Sequence, residues 1–515
     1  MAYGGGKFMT QNKILPGAYV VFASVARASV TISDRGVAAA PFELSWGPEG
    51  EVLEVEQRDF VKDCMEIFGY PYTAPEMLPL REIFKHAIKC YCYRLPSSNA
   101  TKAQNHGDLI FAKAKYKGKR GNDICVQIEQ IPKTTKYNVT TLVGGIKVDE
   151  QLSVEHFGDL RDNDYVEWLK GVTIEEDVYT AVPETETTPV EGTTYYTRSG
   201  EAGSYSYTEV AEPSSEGMST YYTRSTVDVN YTFIFDDETL AGDTKVIADQ
   251  ITNLVGGADG DIDGDADENF LEAIEPYSFN TLCCPASDSV TIGTYVSFTK
   301  AQRDQVGARF QLVCYSPDSS TGADYEGVIG LWNKPKNADE AALTYWLTGA
   351  EAAAPINGSL TNTQYDGELE IEVDTKQSKL EDHIKKGHLV FHRSNGDIVI
   401  LTDINSLVTL KEDFGSMFQK NQTIRFCDNL ANDLAAHFVK RYLGIVQNDN
   451  SGRASWWNEV VKYLREAQRL RAITEFEDDI VTVDIGDEKD IVVTNINGLN
   501  IVNAMEKLYM TVICK

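Results

Sequence analysis

GGGKFMTQNKILPGAYVVFASVARASVTISDRGVAAAPFELSWGPEGEV occupies residues 4–52 of the chain. Three glycines make a pliable lead. Tyr19, Val20, Val21 and Phe22 follow as a short strand of β-branched and aromatic residues within 17–23. A Ser33-Asp34-Arg35-Gly36 turn comes next, and an alternating segment closes at Trp46-Gly47-Pro48. This order predicts an arm that precedes the first packed domain, with residues 33–48 as the entry into it.

Outward from that start, 515 residues with 42% hydrophobic and 10% aromatic content predict several packed cores. The formal charge of −31, from 78 acidic and 47 basic residues, argues against a nucleic-acid partner or an anionic membrane. No apolar run approaches the ~18 residues of a membrane span, and the start lacks the basic and apolar regions of a signal peptide. The nine cysteines show no paired C-x-x-C spacing, so they are expected as reduced thiols of a cytoplasm.

Texture changes several times along the chain. Phe60, Cys64, Ile67 and Phe68 stand at helical spacing before Gly69-Tyr70-Pro71, and a second helix is predicted over 80–89, feeding a strand over 90–95. Residues 100–170 turn to short β runs, the pattern of a small β-sandwich or barrel. There Lys113, Lys115, Lys117 and Lys119 recur at every second place, which predicts a charged edge strand that resists strand addition. Residues 172–232 hold a repeat of about 28 residues. Tyr179-Thr180-Ala181-Val182 leads to Thr194-Tyr195-Tyr196-Thr197-Arg198-Ser199, and Tyr207-Thr208-Glu209-Val210 leads to Thr220-Tyr221-Tyr222-Thr223-Arg224-Ser225. Two similar surface hairpins are expected. Alternation of βαβ type resumes over 230–357, with a helix beginning at Lys300. The last part predicts strands at 368–373, 389–393 and 397–402, helices at 423–443 and 454–472, a hairpin of 480–485 with 491–496, and a closing strand over 505–514.

Motifs that carry chemistry are scarce. Asp259, Asp261, Asp263 and Asp265 match the first half of a calcium loop, but Phe270 stands where a bidentate Glu is required, so calcium remains the secondary reading beside a solvated acidic loop. His383, His388 and His392 lie close together without metal-ligand spacing, and no phosphate loop, nucleophile elbow or H-E-x-x-H is present. No catalytic residue, metal or cofactor is expected. Between Arg453 and Arg471 the charge reverses, with five basic residues against Glu459 and Glu466. Lys462, Arg465 and Arg469 are the candidate docking face there.

The opening segment resembles the amino-terminal region of contractile-tail sheath proteins of bacteriophages and related tail-like particles. The resemblance continues through Asp162-Asn163-Asp164-Tyr165-Val166, Phe270-Leu271-Glu272-Ala273-Ile274, Ala323-Asp324-Tyr325-Glu326-Gly327, Tyr365-Asp366-Gly367-Glu368 and Asn429-Leu430-Ala431-Asn432-Asp433. It implies an inner α/β domain built from both chain ends (24–95 with 360–515, with 1–23 and the last strand serving as arms); together with the texture above this makes an α+β, α/β multi-domain chain, with a small β domain (96–171), an inserted hairpin repeat (172–232) that departs from the family pattern, and an outer α/β domain (233–359). It also implies that terminal strands, Tyr19, Val20, Val21 and Phe22 and likewise Tyr509, Met510, Thr511, Val512 and Ile513, are lent to neighbouring subunits. Implied partners are further copies in a six-fold helix, an inner tail tube facing Lys462, Arg465 and Arg469, and baseplate and tail terminator proteins. Neither nucleic-acid contact nor membrane insertion is implied; the implied location is the virion tail, assembled in the host cytoplasm. The competing class is a β-rich receptor-recognition component, which the tyrosine-rich repeat would suit.

Overall fold

The computed structural model describes residues 31–183, 186, 188–200, 204–215, 217–236, 238–316, 323–373, 376–411 and 415–513. The expected arm at 1–23, with Tyr19, Val20, Val21 and Phe22, lies outside the described residues. By contact the chain divides into two units, 39–84 with 88–277 and, of the described residues, 31–38 with 85–87 and 278–513. Sequence texture drew its boundaries elsewhere, at 95, 171, 232 and 359. Texture registers a change of local pattern, whereas a unit is closed by pairing between residues far apart in the chain.

The first unit is rich in β-structure. Strand β1 (Val37–Phe42), most of it here, is buried on both faces rather than alternating. Strands β2 (Val52–Glu56) and β3 (Lys89–Arg94) pair antiparallel, Glu56 opposite Lys89. Helix α1 (Gln57–Phe68) buries Phe60, Cys64 and Phe68, the stripe its spacing predicted. It ends where Gly69 adopts φ 72°, and its N–H bonds back to Met65 O. Helix α2 (Leu78–Ile83) is shorter than the predicted 80–89, because Lys89 is already committed to β3.

A seven-stranded sheet follows, made of β4 (Lys102–Asn105), β5 (Ala112–Lys117), β6 (Ile124–Gln130), β7 (Tyr137–Val143), β8 (Ile146–Val154), β9 (Val166–Trp168) and β14 (Gln250–Val255). Its order is β9-β5-β4-β14-β6-β7-β8. Strand β14, drawn from beyond the repeat, therefore closes the gap between β4 and β6. The lysine strand β5 is interior, not an edge, and Lys119 falls in the turn after it. Its charges are met by carboxylates instead, Lys115 with Asp164 at 3.2 Å and Lys117 with Glu49 at 3.8 Å.

The repeat forms its own sheet, from β10 (Gly171–Ala181), β11 (Tyr195–Ser199), β12 (Ser206–Val210) and β13 (Tyr221–Phe235), in the order β10-β13-β11-β12. Two separate hairpins were expected; the copies instead exchange strands. The first strand of each pairs with the second strand of the other, Tyr179 opposite Arg224 and Tyr207 opposite Arg198. At the centre Tyr196 faces Tyr222. The contacts repeat about this local two-fold. Tyr179 stacks on Tyr207 at 3.9 Å, and each meets a tyrosine edge-on, Tyr196 at 5.1 Å and Tyr222 at 5.3 Å. The hydroxyls of Tyr195 and Tyr221 likewise accept from Val190 N and Ser214 N. Helix α3 (Ala266–Ile274) completes the unit and buries Phe270, Leu271 and Ile274.

The second unit is built on a parallel sheet of β15 (Thr281–Cys284), β16 (Gln311–Tyr315), β17 (Val328–Leu331) and β18 (His388–Leu389). All thirteen residues of its first three strands are buried, and apart from Thr281 and Gln311 at the strand starts they are apolar or glycine, as suits strands covered on both faces. Helix α4 (Ser289–Ala301) ends where one was predicted to begin. Its start is fixed by Asp288, whose carboxylate accepts from Val290 N and Thr291 N. Helix α5 (Leu343–Ala353) is buried nearly all round. Helix α6 (Gln377–Lys385) is surface-lying. Residues 368–373 form no strand; Ile371 makes a single bridge to Pro335. Helices α7 (Asn421–Arg441) and α8 (Asn450–Arg469) pack through Phe426, Leu430, Leu434 and Phe438 against Trp456, Val460, Tyr463 and Leu464. Strands β19 (Val481–Ile485) and β20 (Val492–Ile496) form the predicted hairpin. Among the described residues no helix is long and apolar enough to cross a membrane.

A methyl group on Gly69 would sit 2.4 Å from the Trp46 ring, in a backbone conformation that already disfavours a side chain. Gly69→Ala is expected to destabilise the β-rich unit by at least about 1–2 kcal/mol from the backbone alone, read as a lower midpoint in urea unfolding.

Candidate functional site

Helix α7 gathers the chemistry of the second unit. Its first half buries the polar side chains of Asn421, Gln422, Thr423, Arg425, Asp428 and Asn429 alongside Ile424 and Phe426. Arg425 is fully enclosed. One guanidinium nitrogen donates to Glu351 of α5, the other to Asp403 at 2.7 Å and to Gly358 O at 2.8 Å. Asn421 donates to the same two carboxyls. Three residues on, Asp428 takes a two-pronged bond from Arg303, at 2.7 and 3.0 Å.

The two carboxyls around Arg425 are not alike. Burial first, and the neighbouring Asp403 charge second, push Glu351 well above the usual carboxyl range. Burial would raise Asp403 too, but the adjacent Arg425 and a bond from Leu360 N outweigh it and hold Asp403 low. The cluster thus reads as one cation, one anion and one neutral acid.

Both chain ends converge on this helix. Ser33 N donates to Asp433 at 3.0 Å; Arg35 donates to Asn429 at 2.7 Å, to Ala354 O at 2.8 Å and to Glu351 O at 3.1 Å. Val37 then joins the parallel sheet, since Asn280 N donates to Val37 O at 2.8 Å. At the other terminus Gln422 donates to Val502 O and accepts from Ala504 N, while Lys420 donates to Glu506. Beyond Glu506 the chain leaves the surface. Tyr509, Met510, Thr511, Val512 and Ile513 form no strand in this chain and are exposed, Tyr509 at 90%. The predicted closing strand is therefore absent here, because no strand among the described residues lies alongside to accept its backbone bonds.

The basic face of α8 is partly neutralised within the chain. Arg465 pairs with Asp478 and Arg469 with Glu466, whereas Lys462 is exposed on the same side of the helix.

The acidic loop does not gather into a cage. Asp259 accepts from Lys119 N at 2.7 Å, Asp261 opens a short strand paired to Ser98, and Asp265 precedes α3. Among the described residues no three His, Cys, Asp or Glu groups are placed to hold a metal ion. His383 and His388 do meet, Nδ1 to Nδ1 at 3.1 Å, under Trp332. Eight described cysteines are free thiols, six of them buried; burial pushes Cys64 and Cys314 up to about 12, far from thiolate chemistry.

Three family models match successive stretches of the chain: the Gp18 domain III N-terminal region of tail sheath protein at 35–95, the phage tail sheath protein central domain at 260–406, and the phage tail sheath C-terminal domain at 413–515. The chain belongs to the phage tail sheath family, a structural and non-enzymatic one. The strand-exchanged repeat lies outside these three stretches. Phage-like element PBSX protein XkdK of Bacillus subtilis (strain 168) is 26% identical over 525 residues, covering 99% of each chain. The tail sheath protein of Clostridium phage phiCD119 is 27% identical over 51% of this chain and 70% of its own. Among solved structures, the sheath tail protein from Desulfitobacterium hafniense superposes with a TM-score of 0.70 at 26% identity, covering 96% of this chain and 99% of that one.

The polar start of α7 was not foreseen from sequence, although Arg425 and Asp428 at a three-residue spacing, on a face followed by apolar residues, were its visible sign. Glu351's stability contribution is complete below pH 4.5, its ordinary value, and is lost as pH rises through the raised folded value. Glu351→Gln is therefore expected to stay within about 1 kcal/mol of the parent below pH 4.5 and to gain on it as pH rises above that value. Asp403→Asn, which strands Arg425, is expected to cost about 3–5 kcal/mol. Urea unfolding of both variants across pH checks the contrast.

Proposed function

We propose that the chain polymerises as stacked six-fold rings around an inner tail tube and passes from a metastable extended lattice to a contracted one, driving the tube through a host envelope. The observation that carries this reading is the apolar C-terminal segment, pinned at Gln422 and Lys420 and then left exposed, without a strand partner among the described residues. An exposed run of strand-forming residues is an aggregation hazard in a monomer and a connector in a polymer. Tyr19, Val20, Val21 and Phe22 are assigned the same task at the other end. Both ends are tied to α7 by polar side chains, so that borrowed strands keep subunits joined while their other contacts rearrange. Heterologous contacts that do not close on themselves give a helix. Energy comes from new contacts between subunits, and no nucleotide is needed.

Remaining partners in this proposal are the baseplate and tail terminator proteins, in a virion tail or tail-like particle assembled in the host cytoplasm. Lys462, Arg465 and Arg469 face an acidic tube surface, with Asp478 and Glu466 exchanged for tube carboxylates on docking.

Electron microscopy of the purified chain is expected to show helical tubes; discrete particles alone would sink the proposal. Removal of residues 1–23 should leave folded, soluble monomers in sedimentation, and ordinary tube formation by that truncation would count against strand lending. Reversing charge at Lys462, Arg465 and Arg469 together should abolish tube-dependent assembly, as measured by co-sedimentation with the tube.

A further inference from the structure

A second feature of the α7–α8 unit has no use within the chain. Where α7 ends, Phe438, Tyr442, Val446, Trp456 and Val492 line a cavity of about 270 Å³. Its surroundings are apolar and open to solvent: Leu443 is 59% exposed, Ile445 64% and Ile491 43%. Asn448, Arg453 and Asp490 supply polar groups at the same opening. A cavity of aromatic floor and mixed polar mouth suits a large amphipathic side chain, the kind that dominates protein interfaces.

We infer that this cavity seats Tyr509 from the C-terminal segment of a second copy of the chain. The inference rests on the strand-lending reading above and names the receiving site. Three observations select this occupant. The segment Met505–Ile513 is largely apolar, exposed and without a strand partner among the described residues. Its charge complements the site: beyond Glu506, which Lys420 holds, Lys507 and Lys515 flank the apolar residues, while Asp487, Glu488 and Asp490 outnumber Lys489 and Arg453 at the hairpin turn and the cavity. Reach then excludes the chain's own segment. Ala504 is held at Gln422, near the start of α7, and Tyr442 lies twenty residues along the helix path, about 30 Å away at 1.5 Å per residue. Five extended residues carry Tyr509 at most about 17 Å from Ala504. Only another subunit can deliver it.

The seat also gives the borrowed strand a register. Backbone pairing alone tolerates sliding by two residues, whereas one large side chain in one cavity does not. Tyr509 in the cavity places Thr511 and Ile513 on the same side of the strand, with Leu508, Met510 and Val512 on the other.

The test uses the chain truncated after Glu506, so that the cavity stands open, and a fluorescently labelled peptide of residues 505–515 followed by anisotropy. The peptide is expected to bind, and Tyr509→Ala in the peptide to raise Kd at least tenfold. Val446→Trp in the truncated chain, which fills the cavity from its rim, is expected to weaken the parent peptide similarly. No binding by the parent peptide, or affinity unchanged by both substitutions, overturns the seat. Because the Tyr509→Ala change is made in the peptide, it cannot act by unfolding the receiver. Failure of the underlying reading would look different: the truncated chain would form tubes as readily as the full one.

Discussion

Arg425 is the constraint around which the C-terminal unit is arranged. A guanidinium with no exposure to water needs partners for its charge, and three separate parts of the chain meet its two terminal nitrogens: Glu351 from α5, Asp403 from the loop after residue 400, and Gly358 O from the turn beyond α5. Removing one partner would leave a buried charge uncompensated, so those segments are held in a single arrangement. The middle of α7 receives Arg303, Arg35 and Ser33 through Asp428, Asn429 and Asp433. A helix start that could have been apolar is spent on polar contacts, and these fix position with a directionality that apolar packing lacks.

That placement makes one helix the common anchor of both termini. The N-terminal segment is fastened near its middle and the C-terminal segment at its beginning, each through side-chain hydrogen bonds.

The repeat insertion follows a different logic. Its small apolar core holds only Val182, Tyr195 and Met218, with Tyr221 against it. Stacked tyrosines cover the opposite face, and Arg198 and Arg224 lie over tyrosine rings at 4.9 and 5.9 Å. Exchange of strands between the copies makes each copy the other's missing partner, which is how a segment with so few core residues closes.

Local pattern was enough for the elements whose neighbours are near in sequence. The spacing of Phe60, Cys64 and Phe68 gave α1, the runs at Thr281–Cys284 and Gln311–Tyr315 gave buried parallel strands, and the turn at 486–489 gave the β19–β20 hairpin. Order and number of short matches along the chain also carried the family. Long-range pairing was what sequence could not supply. The interior position of the lysine strand, the insertion of β14 between β4 and β6, the exchange within the repeat and the polar socket of Arg425 each depend on partners tens to hundreds of residues away. A hydrophobic period reports which face of an element is covered; it carries no information about what covers it. The closing segment shows the same division. Its sequence marks Tyr509–Ile513 as strand-forming, and only the tertiary structure shows that the segment pairs with no strand among the described residues.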